Sequence, residues 1–415
     1  MKWRHCAGRV LSRIQLNSRR FPVTSPAQQE VLRGIRVVDL SWVMAGPMST
    51  KMLALMGAEV IKVESADRPE FANRVDSFPV LNNNKRSCTI NITTARGQDL
   101  VRRLVAKSDV LVENFSASVL DKYHLSYEEL RVIRSDLVFV SASGVGRTGP
   151  QRDALAYGTL LQGYSGRLGL IGAPDPSLEA MGITPAWTDP VTAMWETLAI
   201  LSAIHYRRRT GAGAYVDLSM LESTIALLPA ALLNSALGTG GPLSGGNRVS
   251  DAAPSGCFRC AGADEWLALS VRTDGEWQSL CKAMSRPDLL ADPRFADGAL
   301  RHANKSTLNP FVSDWLRAYP AREAESILQA AGVPAAWSRN VADLVDEPHF
   351  SLRGLFPKTG TDQRTISLPW MDSSGWRGEV SPAPELGADN NYVFGALLGL
   401  GDAEIRELVE AGVIH

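Results

Sequence analysis

Asp189 stands directly ahead of Pro190 and of an apolar stretch, residues 191–206, that reads as a helix. Arg207, Arg208 and Arg209 suit the C-terminal dipole of that helix, and Gly211 stops it. Asp followed by Pro is an N-cap followed by proline at the first helical position, so Asp189 can be a cap and nothing more. It can also do chemistry. The helix dipole favours its anion, and an ionised carboxylate is available as a nucleophile at neutral pH. Lys85 and Arg86, in NNNKRSCTINI, form a second candidate group, although alone they read as a solvated pair at a loop edge. GVGRTG after the run LVFVSAS spells G-x-G-x-x-G, the dinucleotide fingerprint. A true fingerprint opens straight into a helix whose N-terminus holds the pyrophosphate. Here Pro150, Gln151, Arg152 and Asp153 follow without apolar periodicity, so the match reads as chance. Cys257-x-x-Cys260 has no second pair to complete a zinc site, so no metal is expected.

These groups need a scaffold, and residues 34–64 supply its centre. IRVVDL is a buried strand rich in β-branched residues, SWVMAGPMST is a turn punctuated by Gly and Pro, and residues 48–56 have helical spacing. Gly57 ends that helix and AEVIKVE is a second strand. Strand, helix and strand make a right-handed βαβ unit, with its ligand crevice beyond the first strand at residues 41–47. SCTINI, SDVLVENF and LVFVSAS are further strands; residues 95–107 are helical, and Ser126 with Glu129 reads as a capping box.

Length and composition set the outer bounds. A chain of 415 residues is too long for one ordinary core, so two domains are expected. A net charge of -1 gives no reason to invoke nucleic acid or an anionic membrane, and no apolar run is long enough to span a bilayer. Five scattered cysteines read as reduced thiols in a reducing, cytoplasmic-type compartment. Residues 1–30 are basic and carry no acid before Glu30. They read as an extension outside the fold, either a disordered tail, a misplaced start or a mitochondrial transit peptide. GTGGPLSGGNRVSDAAPSG is a loop or linker, and CFRCAGADEWLALSV is a hairpin of a smaller domain. The domain reading is 31–225 for the first part of a large domain, 226–340 for the small domain and 341–415 for a return to the large one.

The order D-x-[ST] strand end, AGP turn and GAEVIKVE strand resembles the N-terminal signature of the class III CoA-transferases, the CaiB/BaiF-type family. The likeness runs from about Leu32 to the C-terminus. It implies an α/β fold: a discontinuous Rossmann-like parallel-sheet domain with a smaller α/β insert, in an interlocked homodimer. It implies acyl-CoA and a carboxylic acid as partners, CoA thioester as substrate and no tightly bound cofactor. By resemblance, Asp189 is the nucleophile. Ala45, Lys85, Arg86, Asn114, Phe115, Lys122 and Tyr157 lie along the CoA channel. Gly245 and Gly246 form a loop over the aspartate, with Arg248 the nearest cation for an acceptor carboxylate. Ser65 replaces a family Arg, and Arg68 or Lys62 is expected to substitute for it. An α-methylacyl-CoA racemase of the same fold is the alternative, but its His-Asp pair falls on Tyr157 and Gly158. An NAD-dependent oxidoreductase using GVGRTG is the remote alternative.

Overall fold

Strands flanked by short apolar runs on both sides of a parallel sheet must bury both faces, and the Val-rich segments read above do so. In the computed structural model, which describes residues 30–66, 77–116, 118–171, 185–238, 251–360 and 363–415, the chain divides into two units. One holds the described residues up to Ala154 with Asp189–Ser219 and Gly354–His415; the other holds Leu155–Thr188 and Met220–Arg353.

In the first unit, β1 (Arg36–Asp39), β2 (Glu59–Glu64), β3 (Arg86–Thr89), β4 (Val110–Glu113), β5 (Val138–Ser143) and β6 (Ala214–Ser219) form one sheet. Its order is β3-β2-β1-β4-β5-β6 and every pairing is parallel. That is the doubly wound order, which reverses direction between β1 and β4. Alternate residues feed opposite cores. Val38, Ile61, Leu111 and Phe139 pack on one face with Leu104 of helix α2 (Ala95–Ala106). Val37, Val60, Val112 and Val138 pack on the other with Leu53 of α1 (Ala45–Leu55). Ile200 and Ile204 of a long helix join that second core. Helix α3 (Tyr127–Ile133) begins with the expected capping box, Ser126 and Glu129 each holding the other's backbone. The long helix, α4 (Thr188–Thr210), ends at Gly211, whose φ of +74° is a left-handed stop.

The second unit holds an antiparallel sheet of β7 (Ser255–Arg259), β8 (Trp266–Ser270) and β9 (Ala335–Trp337). Helices α5 (Asp274–Ala283), α6 (Lys305–Leu316) and α7 (Ala321–Ala330) supply its core through Trp277, Leu280, Leu308, Val312 and Leu328. Boundaries differ from the sequence reading in three places. The second unit resumes at Met220, ahead of residue 226. Residues 155–188 group with the second unit, and the return to the first comes at Gly354, later than residue 341. Apolar periodicity shows where elements lie, not which core receives them.

Candidate active site

β1 ends at Asp39, and Ser41, Trp42, Gly46 and Pro47 of the turn that follows are held by side-chain hydrogen bonds. Asp39 accepts from Ser41 N at 2.9 Å, Ser41 Oγ at 2.5 Å, Thr50 Oγ1 at 2.7 Å and Lys85 Nζ at 2.9 Å. Lys62 donates to Ser41 O and Lys85 to Pro47 O, each at 2.8 Å; Ser49 donates to Gly46 O at 2.9 Å. Across the switch between β1 and β4, the Asn114 amide grips the turn from both sides. It accepts from Trp42 N at 2.7 Å and donates to Trp42 O at 2.8 Å. Phe115 meets the Trp42 ring edge-on at 5.3 Å.

Gly46 is required sterically. A Cβ there would stand 2.3 Å from Ser41 Cβ, far inside contact distance. Val43 occupies φ +66°, a strained conformation for a β-branched residue, and is half exposed at the crest of the turn. Helix α1 starts immediately after with no acid in its first turn and no side-chain cap. Such an uncapped N-terminus suits an anion.

The structure therefore brings Ala45, Asn114 and Phe115 together at the carboxyl ends of β1 and β4. It uses Lys85 differently from a solvated or ligand-facing cation. Lys85 Nζ has Asp39, Pro47 O and Asn82 Oδ1 as acceptors at 2.9, 2.8 and 2.8 Å. Three acceptors call for all three ammonium protons, so none remains for a phosphate. Burial pulls the Lys85 ammonium below its usual range, and the Asp39 carboxylate pulls it back up. Burial pushes the Asp39 carboxyl up, but Lys62, Lys85 and the two hydroxyls outweigh this and hold it well below the usual carboxylate range. Arg86 pairs with Glu59 at 3.1 Å and Asp389 at 2.8 Å and lies over the Tyr392 ring. Lys122 is exposed at the end of a short helix, its ammonium 5.5 Å from the Tyr123 ring centre. Lys62 is buried on Ser41 O, so of the two expected substitutes for the Arg missing at Ser65 it is occupied. Arg68, Gly245, Gly246 and Arg248 lie outside the described residues, as does the basic extension up to residue 29.

Asp189 is buried in the first turn of α4. The helix begins at Thr188, two residues before the Pro190 start that the sequence reading gives it, so Asp189 is not its cap. Met52 of α1 receives a bond from Thr197 Oγ1 at 3.5 Å, which packs α4 against α1. Glu196 lies seven residues after Asp189, two helical turns on and on the same face. Tyr157, in the second unit, is exposed, and Gly158 opens the helix Gly158–Tyr164 with no side chain to act as a base.

GVGRTG is followed by turns and no helix until Gly158, so it does not form a dinucleotide loop. Its Arg147 instead ties three strands together. Arg147 N donates to both Asp217 oxygens at 2.9 and 3.0 Å, and its guanidinium reaches Ser141 Oγ at 2.5 Å and Glu113 at 2.7 Å. Burial raises the Glu113 carboxyl, while Arg147 and Ser141 lower it. A cavity of about 380 Å³ opens there, lined by Ser116, Ser118, Tyr127, Ser141, Arg147 and Tyr215 among others. Among the described residues no cluster of three or more His, Cys, Asp or Glu is placed to hold a metal ion, and no helix is long and apolar enough to cross a membrane.

With this geometry in hand, comparison with known proteins is decisive. The model of CoA-transferase family III matches residues 32–390. The chain belongs to the class III CoA-transferases. It is 31% identical over 401 residues to succinyl-CoA–D-citramalate CoA-transferase of Chloroflexus aurantiacus, covering 92% of this chain and 98% of that protein. It is 31% identical to succinate–glutarate CoA-transferase of Agrobacterium fabrum, covering 90% and 97%. A CaiB/BaiF family protein from Brucella suis superposes with a TM-score of 0.81 at 30% identity, over 89% of this chain and 99% of that one. This class III CoA-transferase is thus an enzyme whose large unit carries the family's parallel sheet and whose smaller unit carries its antiparallel insert.

Proposed function

We propose that the enzyme moves CoA from an acyl-CoA donor to a carboxylic acid through Asp189. The observation that carries this reading is the placement of a buried carboxylate in the first turn of α4, on the helix that packs against α1. The helix dipole favours its ionised, nucleophilic form there. Asp189 attacks the thioester carbonyl and CoA leaves as thiolate, giving a mixed anhydride. The thiolate then attacks the aspartyl carbonyl, releasing the donor acid and leaving an aspartyl thioester. The acceptor carboxylate repeats these two steps in reverse order and departs as the new thioester, restoring Asp189.

CoA is proposed to lie over residues 41–47, with Ala45, Asn114 and Phe115 beside it, and Tyr157 is a proposed CoA contact by family resemblance. The uncapped start of α1 supports an anionic group there. Since the protons of Lys85 are all engaged, phosphate contact falls to Lys122 and to the partly exposed Arg86. Gly245, Gly246 and Arg248 are proposed to meet the acceptor. Two relatives named for succinyl-CoA or succinate make a dicarboxylic donor and acceptor the first to test. A homodimer is supported by α4, which exposes Met194, Trp195, Leu198 and Tyr206 while burying Glu196.

Incubating the purified enzyme with succinyl-CoA and a panel of mono- and dicarboxylic acids, read by mass spectrometry, tests the reaction. Transfer to at least one acid without net hydrolysis is expected, and exchange of no thioester with any acid would reject it. Light scattering after gel filtration tests the dimer.

A further inference from the structure

Helix α4 turns a carboxyl inward at a point where its apolar neighbours face out. Glu196 is wholly buried, whereas Met194 and Leu198 are more than half exposed. Neither oxygen of Glu196 has a hydrogen bond of ordinary geometry among the described residues. The side-chain donor that faces it is Ser49 of α1. The Ser49 hydroxyl has one proton, and it goes to Gly46 O at 2.9 Å. Thr50 Oγ1 also reaches that carbonyl, at 3.1 Å. The charged surroundings come from every neighbouring strand. Asp39 at the end of β1 and Glu113 at the end of β4 oppose a further anion, and Lys85 ahead of β3 favours it. On β2, Lys62 is engaged with Ser41 O, and Glu64 accepts from Ser87 Oγ at 2.5 Å.

We propose that Glu196 is a positioning residue for the turn at residues 41–47, acting as a neutral acid through Ser49. As the acid, Glu196 donates to Ser49 Oγ and Ser49 donates onward to Gly46 O, so each proton has an acceptor. As a carboxylate it can only accept. The single Ser49 proton then swings to Glu196, and Gly46 O loses its hydroxyl donor, because the one Thr50 proton is already given to Asp39 at 2.7 Å. Burial, with the nearby acids, pushes the Glu196 carboxyl up to about 8, so the relay is intact at neutral pH and opens in mild alkali. The consequence for CoA rests on the proposed site; the relay itself does not.

The test follows hydrogen exchange across residues 41–56 by mass spectrometry, from below to above pH 8, in wild type, Glu196→Gln and Glu196→Met. Titration with CoA alone runs in parallel. Gln donates to Ser49 without ionising, so it should match wild type at pH 7 and stay protected in alkali, where the wild-type segment exchanges several-fold faster. Met can neither ionise nor draw the Ser49 proton away, so Ser49 keeps Gly46 O and protection in this variant should not fall in alkali by this route. CoA affinity should follow the same pattern. Parallel protection in wild type and Gln across the range overturns the relay, even if CoA binds. A pH-dependent difference in protection without any CoA binding upholds the relay and overturns the CoA site. A difference in protection with identical CoA profiles overturns the link between relay and ligand.

Discussion

Asp39 and Lys85 form an ion pair at 2.9 Å in which neither side chain reaches solvent. Removing one partner of such a pair leaves a buried charge uncompensated, which costs about 3–5 kcal/mol. Lys85→Met should therefore destabilise the protein by an amount in that range, read by urea unfolding. Replacing both partners at once, Asp39→Leu with Lys85→Met, should cost less than the two single changes added together. Additive losses would mean that the pair is not coupled and that the other donors to Asp39 suffice.

The same core carries opposite pH signatures. Asp39 is held below its usual range in the folded protein, so its stabilisation is complete above the ordinary carboxylate pKa and is lost as pH falls into strong acid. Glu196 behaves in reverse. Its folded value is raised to about 8, so the native state holds a proton that the unfolded chain gives up. Stability should fall as pH rises from the ordinary glutamate range towards 8. Melting temperatures of Glu196→Gln and wild type should agree near pH 4.5, the ordinary glutamate value, and the variant should melt higher at and above pH 8. Equal melting temperatures across the range would show that Glu196 is ionised in the fold.

The βαβ core, the turn at residues 41–47, the capping box at Ser126 and Glu129 and the failed dinucleotide loop were all legible in the sequence. Each depends on residues close together in the chain: strand runs, Gly and Pro, a cap three residues from its partner. The buried polar network was not. Asp39 and Lys85 are 46 positions apart and meet only because β1, β2 and β3 lie side by side, with Asp39 level with Lys62 and Lys62 level with Ser87. Read locally, Lys85 and Arg86 are two adjacent loop cations; in the sheet, one is internal and the other partly exposed. Glu196 was missed for a related reason. A lone acid in an apolar helix is ordinarily taken as its solvent face, and α4 exposes its apolar side instead. The D-x-S at the end of β1 was the available signal, since a buried strand-end carboxylate requires a cation from elsewhere in the chain.

Gly46 offers a sharper steric test. Gly46→Ala must displace Ser41, whose Cβ would lie 2.3 Å and Oγ 2.5 Å from the new methyl. The turn should shift while the sheet beneath it survives, so CoA affinity should drop by at least about tenfold, or 1.4 kcal/mol. Ser41→Gly combined with Gly46→Ala should recover part of that loss, because it removes the clashing atoms. Isothermal titration with CoA reads both variants. Full affinity in Gly46→Ala would place the CoA site elsewhere.

Asp189 permits the most direct test of the reaction. Because α4 begins at Thr188, Asp189 interacts with the helix dipole without being the cap, an effect worth about 0.3–1 kcal/mol. Both Asp189→Asn and Asp189→Ala should therefore stay folded, with melting temperatures close to wild type and CoA binding preserved. If Asp189 only supports the helix, both variants should also keep most of their activity. If it is the nucleophile, each should lose more than about a thousandfold in kcat, since neither side chain can form the anhydride. Hydroxylamine added during turnover should convert Asp189 of the wild-type enzyme to a hydroxamate, detectable in the peptide that carries it, and should leave both variants unlabelled. An active Asn variant, checked by mass spectrometry for deamidation back to Asp, would exclude the covalent route and move the search to another carboxylate.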